Sequence, residues 1–408
     1  MSNDSPNPPP EEPTRAADDS SQSAEHDLSP LQLLESQSYG RRSLVCDLID
    51  TAVDLVFLSL MAFLFAKPLD DWMKSTGNWF DNSHFRRWIA MFLIVYLIHM
   101  VISSPISYYA GFVLEHRFKL SRLSLSQWVW RYIKRNALAL VFGTVMILGL
   151  YALMRWTGHA WWYYAAGVFF LISIVLGQLA PVVLLPLFYK ISRLDNDDLN
   201  ARMARLAQGT GLKIDGVYRM EMSAETVKAN AMLAGLGSTR RVLLGDTLLD
   251  EFTPDEIEVI LAHEIGHHVN KHIPQLIVLG VLLSATGFWL CDMVLQARVA
   301  AVEANPPANI YEYMPVYVLP LFMLWTTLFS LCMQPLQNVV SRMFERQCDR
   351  YALQRTGLRA AYVSAFQKLA RLNKDDPNPH PVEVVLFHSH PPISERLAMA
   401  NDELDIAR

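Results

Sequence analysis

The chain is short of charge and short of cysteine. Of its 408 residues only 18% are Asp, Glu, Lys or Arg, 52% are hydrophobic, and the net charge is -5. Mean hydropathy is +0.18. A composition this apolar excludes an ordinary soluble enzyme and points to a protein with several membrane spans. The mild acidity says little about partners beyond the lipid bilayer, and no nucleic-acid partner is expected. The four cysteines, Cys46, Cys291, Cys332 and Cys348, lack the paired spacing of a cysteine metal site, so free thiols are expected. No basic start followed by a short apolar core and a small-residue cleavage site is visible, so no cleaved signal peptide is expected. Residues 1–35 are rich in Pro, Ser, Asp and Glu without apolar periodicity and read as a disordered tail.

What the chain does have is long apolar runs. Stretches near 46–66, 88–113, 137–156, 162–189, 273–295 and 315–336 are each long enough, at roughly 20 residues, to cross a ~30 Å hydrocarbon core. The loop after the second carries Arg117, Lys119, Arg122, Arg131, Lys134 and Arg135, and Arg41 with Arg42 precede the first. Excess positive charge marks the cytoplasmic side. Both regions are therefore expected there, together with the polar stretches after the fourth and sixth spans. Lys67, Lys74, Arg86 and Arg87 in the first loop argue against this orientation, but less densely. The organisation expected is 36–190 as a membrane region of four spans, 191–272 and 337–408 as two parts of one catalytic domain, and 273–336 as two further spans.

The segment LAHEIGHHVNKH places four histidines within ten positions. Thr253, Pro254 and Glu256 form a helix-start signal of capping-box type, and Ile257, Ile260, Leu261 and Ile265 follow at helical spacing. Residues four apart share a helix face, which selects His263 and His267. Two imidazoles at that spacing can share a zinc ion while Glu264 between them reaches a water beside it, and an ordinary helix with satisfied histidines remains open on these residues alone. His268 and His272 fall on another face and are not assigned to the metal.

A catalytic zinc takes three protein ligands and leaves one position open. The alternating topology brings the stretch after the sixth span to the same side as the histidines. There, VVSRMFERQCDRYALQRTG reads as a helix ending at Gly357, with Glu345 and Asp349 on one face. Glu345 suits a ligand, and Asp349 a carboxylate that orients a ligand histidine. Asp349, Glu383 and Glu395 are rivals for the third position, although NPHPVEVV should not form a helix around Glu383, and Glu395 should pair with an arginine such as Arg396. A solvated helix whose acids pair with Arg342, Arg346 and Arg350 remains open on these residues alone.

Between the fourth span and the histidines lies an α/β segment: a helix over 194–211, a strand over 214–223, and two extended runs within 228–246 joined around Gly235–Thr239. The strand at 230–234 is a candidate open edge for an added peptide strand, or a hairpin packed for stability. In FHSHPPISERL, His390 precedes two prolines that hold an extended turn, so its imidazole is a candidate oxyanion donor or a lone surface histidine.

LEHRFKLSRLSL, KANAMLAGLG, LLGDTLL, LAHEIGHHVNKH, SRMFERQCD and HPPISER, in that order, resemble the CAAX prenyl endopeptidases, integral-membrane zinc proteases, over most of the chain from about residue 45. The resemblance implies a mainly α, multi-span bundle around an intramembrane chamber, closed by a gluzincin-like α/β domain. It implies one zinc per chain on His263, His267 and Glu345, with Glu264 as general base and Asp349 in support. It also implies His390 as oxyanion donor, and Asn230 and Ala231 with their strand as substrate holders. The expected substrate is a peptide or protein, prenylated or membrane-embedded. The expected membrane is the bacterial inner membrane or the endoplasmic reticulum, with the catalytic domain cytoplasmic. The alternative from another class is a membrane scaffold or chaperone with a non-essential zinc site. Family members from eukaryotes are described with seven spans, where six are read here.

Overall fold

Ser29 and Gln32 close a reciprocal capping box that starts the first helix, Pro30–Leu60, in a computed structural model describing residues 28–76, 83–235 and 240–406. The expected tail to residue 35 is therefore corrected: Pro30–Glu35 are helical because the box satisfies the first backbone donors. Residues 1–27 lie outside the described ones.

Among the described residues, five helical stretches are long and apolar enough to cross a membrane: Pro30–Ser75, His84–Arg117, Leu125–Gly177, His272–Val302 and Val316–Thr356. The third holds two helices, Leu125–Thr157 and Trp161–Leu179, parted at Gly158 with φ +54°. It therefore contains the third expected span, 137–156, and the first part of the fourth, 162–189. Their outward faces expose Val141, Val145, Leu171, Val278 and Leu282, as lipid-facing surfaces do. Inward, Trp88, Met91, Leu150, Met154, Trp161, Leu295 and Tyr317 form one buried core. Asp292 is buried there without being unsatisfied, because Trp161 Nε1 donates to it at 2.6 Å and Tyr311 Oη at 2.9 Å. Three of the four basic side chains of the first loop pair with acids: Lys67 with Asp71, and Lys74 and Arg87 with Asp70.

A second core joins Leu199, Met203, Val217, Val242, Leu244, Ile257, Leu261, Ala352 and Tyr362. It supports a four-stranded sheet in the order β1-β2-β4-β3, built from β1 (Ile191–Arg193), β2 (Ile214–Met220), β3 (Ala231–Ala234) and β4 (Arg240–Gly245). β4 runs parallel to β2 and antiparallel to β3, pairing Ala231 with Leu244 and Leu233 with Val242. β3 is thus an edge strand. The join between β3 and β4, at 236–239, lies outside the described residues. The basic loop after the second stretch is stitched to this domain by Arg122 N to Glu225 O at 2.8 Å and Val227 N to Leu120 O at 3.1 Å, so the two share a side.

One helix connects the two cores. Leu319–Thr356 contributes Leu319–Leu324 to the bundle and Ala352 and Leu353 to the α/β domain, then stops at left-handed Gly357. Glu345 and Asp349 sit on its upper half.

Candidate metal centre and peptide cleft

The histidine helix, Pro254–Val269, starts at a complete capping box between Thr253 and Glu256. Its packing against the long helix is close: a Cβ built on Gly266 would come within 3.0 Å of Cys348 Cα and 3.3 Å of its Sγ. A side chain at 266 would force Cys348 back by a few tenths of an ångström, and the close approach brings the carboxylates of one helix to the histidines of the other.

His263 and His267 present their Nε2 atoms to Glu345, at 3.1 Å from Oε2 and 3.4 Å from Oε1 respectively. His390 Nδ1 lies 2.9 Å from the same Oε2. Although these nitrogens crowd it, buried Oε2 makes no hydrogen bond in the structure. A buried carboxylate oxygen without a hydrogen bond is costly unless positive charge beside it completes it. Two imidazole nitrogens and a carboxylate are also the donor types of a catalytic zinc site, so the residues present fit such an ion. A second grouping exists, in which Cys348 Sγ and the rings of His263 and His267 offer atoms within 4.8 Å of one another. Glu345 is preferred because it faces the Nε2 atoms, whereas both Nδ1 atoms are occupied: that of His263 by Asp349 Oδ1 at 2.9 Å, that of His267 by His272 at 3.1 Å.

Burial alone would disfavour a charged His263, but the bond to Asp349 and the facing carboxylate of Glu345 outweigh it and raise the pKa to about 9. The site thus attracts positive charge. Asp349 is fully buried and is held by Arg396, whose Nε donates to Oδ2 at 2.9 Å and whose Nη2 donates to Oδ1. Arg396 also lies over the Phe366 ring at 3.8 Å. Its role was not read from the sequence, although it stands in the HPPISER segment. Glu395 pairs with an arginine, as expected, but the arginine is Arg346, at 2.5 Å, and not Arg396. Glu383 corrects another expectation: Pro381–Phe387 is a helix, because proline is tolerated at its first position and His380 caps it. Glu383 there lies 3.3 Å from His388.

A cleft of 560 Å³ opens over the centre. Glu264, His263, Glu345 and His390 line it, and Asn230 and Ala231 line the side where β3 begins. Tyr39 and Asp47 of the first helix form the opposite wall. All eight site residues named in the sequence are brought together: Asp349 behind His263, His267 beside Glu345, and the other six lining the cleft.

Residues 193–404, more than half the chain, match the family described as Peptidase family M48. Residues 14–190 match that described as CAAX prenyl protease N-terminal, five membrane helices. Among curated relatives, the uncharacterized metalloprotease YhfN of Bacillus subtilis is 26% identical over 378 residues, covering 92% of this chain and 87% of its own. CAAX prenyl protease 1 of Saccharomyces cerevisiae is 27% identical over 310 residues, covering 73% and 68%. The crystal structure of S. mikatae Ste24p is similar with a TM-score of 0.77 at 24% identity, over 93% of this chain and 92% of that one, and so shares the fold. The chain therefore belongs to peptidase family M48, in its CAAX prenyl endopeptidase group, and is an integral, multi-pass membrane metalloendopeptidase.

Proposed function

We propose that the chain hydrolyses peptide bonds of extended segments with one zinc held by His263, His267 and Glu345. The observation that carries this reading is the buried Glu345 carboxylate at the floor of a cleft, its Oε2 facing His263 Nε2 at 3.1 Å and its Oε1 facing His267 Nε2 at 3.4 Å. Zinc there would supply Lewis acidity toward the scissile carbonyl and lower the pKa of water at its open position.

The residues do the rest. Glu264 accepts the proton of the attacking water and passes it to the leaving amine. His390 donates to the oxygen that becomes negative as the carbonyl turns tetrahedral. The free edge of β3, from Asn230 and Ala231, pairs with the substrate backbone and holds it extended. Asp349 accepts from His263 Nδ1 and leaves Nε2 free to coordinate. The named activity of the yeast relative and the cleft's place above the bundle favour substrates delivered from the membrane, of C-terminal CAAX type or translocating polypeptides.

Glu264→Gln should retain about one zinc per chain and lose hydrolysis by ~10²–10⁴-fold, since only the proton acceptor is gone. Zinc content beside cleavage of an extended fluorogenic peptide checks this; normal turnover by the variant would end the mechanism. Peptides accumulating on the same variant in native membranes would identify the substrate class.

A further inference from the structure

His272 follows His267 by five residues, an interval that in a continuous α-helix turns two side chains about 140° apart. Here the helix is broken. Lys271 has φ +56° and ψ +39°, a left-handed conformation that residues with a Cβ seldom adopt, and a new helix begins at His272. The break folds His272 back onto His267, Nδ1 to Nδ1 at 3.1 Å. On its far side His272 Nε2 lies 2.9 Å from Gln347 Oε1. The ring stacks on Phe344, with centroids 4.1 Å apart and planes within 9°, and is only 1% exposed. Phe344 and Gln347 flank Glu345 on the long helix, so the helix that delivers the carboxylate also clamps His272.

We propose that His272 is a positioning residue for His267: it accepts the Nδ1–H of that ring and keeps Nε2 bare and aimed at Glu345. This rests on the ligand reading above. The direction of the bonds follows from their far end. Gln347 Oε1 only accepts, so His272 Nε2 donates to it, and His272 Nδ1 is then an acceptor. His267 must donate from Nδ1, and its single proton is used there. Its Nε2, 3.4 Å from Glu345 Oε1, is left with a lone pair. Cys348 Sγ, 3.7 Å from His272 Nδ1, is a second, weak donor to the same nitrogen. His263 reaches the same tautomer through a carboxylate, Asp349. The two imidazoles are thus oriented by different chemistry, one by an anion and one by a neutral ring, which avoids a third buried acid beside Glu345 and Asp349.

Two substitutions separate this role from packing. His272→Phe keeps a ring on Phe344 but has no acceptor, whereas His272→Asn loses the ring and retains an amide oxygen near the place of Nδ1. The full-length protein in detergent is stripped, reloaded with zinc and titrated against graded chelator, with peptide turnover and thermal unfolding measured alongside. Zinc affinity should fall about 10–100-fold in His272→Phe and stay within about threefold of the parent in His272→Asn. Gln347→Leu, which removes the far acceptor without touching either histidine, should give an intermediate loss. Parental affinity in His272→Phe, or equal losses in the Phe and Asn variants, overturns the proposal. A parent that binds no zinc overturns the ligand assignment itself, and the proposal with it.

Discussion

Asp349 Oδ1 lies 2.9 Å from His263 Nδ1, across 86 residues of sequence. One turn earlier on the same helix, Glu345 faces the other nitrogen of the same ring at 3.1 Å. A single imidazole is thus held between two carboxylates on one helix face, and their division of labour is open to measurement. Asp349→Ala should weaken zinc about 10–100-fold. It should also cost about 3–5 kcal/mol of stability, because buried Arg396 loses its anion. Glu345→Ala should lower zinc affinity further than Asp349→Ala, and Glu395→Ala, which breaks only the pair with Arg346, should leave it unchanged. Chelator competition and thermal unfolding on the three variants decide the assignment. It fails if Glu345→Ala holds zinc like the parent.

Gly266 sets the spacing of the two helices that form the centre. Gly266→Ala would drive a methyl against the Cys348 backbone at 3.0 Å, where no flexible side chain can give way. The expected cost is about 1–3 kcal/mol, from overpacking. Zinc affinity should fall with it, since the histidines withdraw from Glu345. Unchanged melting and unchanged zinc retention would show that the helices tolerate separation.

Acid should loosen the start of the histidine helix. Burial alone would raise the pKa of Glu256, but Lys368, Ser364 and the Thr253 N–H hold it below its ordinary value of 4.5. A carboxyl depressed in the folded state contributes stability that is present above its unfolded pKa and is lost as pH falls through the folded one. The parent should therefore lose melting temperature more steeply below pH 4.5 than Glu256→Gln does. At pH 7 the variant should be less stable by about 1–3 kcal/mol, having lost charge-assisted bonds. Parallel melting curves for the two between pH 3 and 5 would contradict this.

Asp47, Asp50 and Asp54 repeat along one face of the first helix, and Asp47 lines the cleft. Deeper down, Asp54 Oδ1 lies 2.5 Å from His99 Nε2 and its side chain keeps 32% exposure, as expected of a wall facing water inside the bundle. A cysteine at 54, in a background with exposed Cys332 changed to Ser, should react with a water-soluble maleimide. One at Val56, whose apolar side chain is exposed on the helix exterior, should react at least tenfold more slowly, because thiolate does not form in hydrocarbon. Equal protection of both would place Asp54 away from water.

Periodicity and capping are local, so the helix at 254–269, its shared face for His263 and His267, and the apolar stretches were legible in the sequence itself. The break at Gly158 falls between the apolar stretches read at 137–156 and 162–189, and β3 lies at the sheet edge, one of the two readings of 230–234. Glu345 and Asp349 could be nominated from their spacing but not chosen over their rivals without the family resemblance, because nothing within a helix of charged residues says which neighbour another helix will meet. The helix around Glu383 was missed because a proline can begin a helix as well as prevent one. Tertiary structure decided the rest: which arginine holds Asp349, which acid pairs with Arg346, and how His272 turns back to His267. That last depends on a left-handed lysine, a conformation without local preference, which persists only where Phe344 and Gln347 on a distant segment over-determine it.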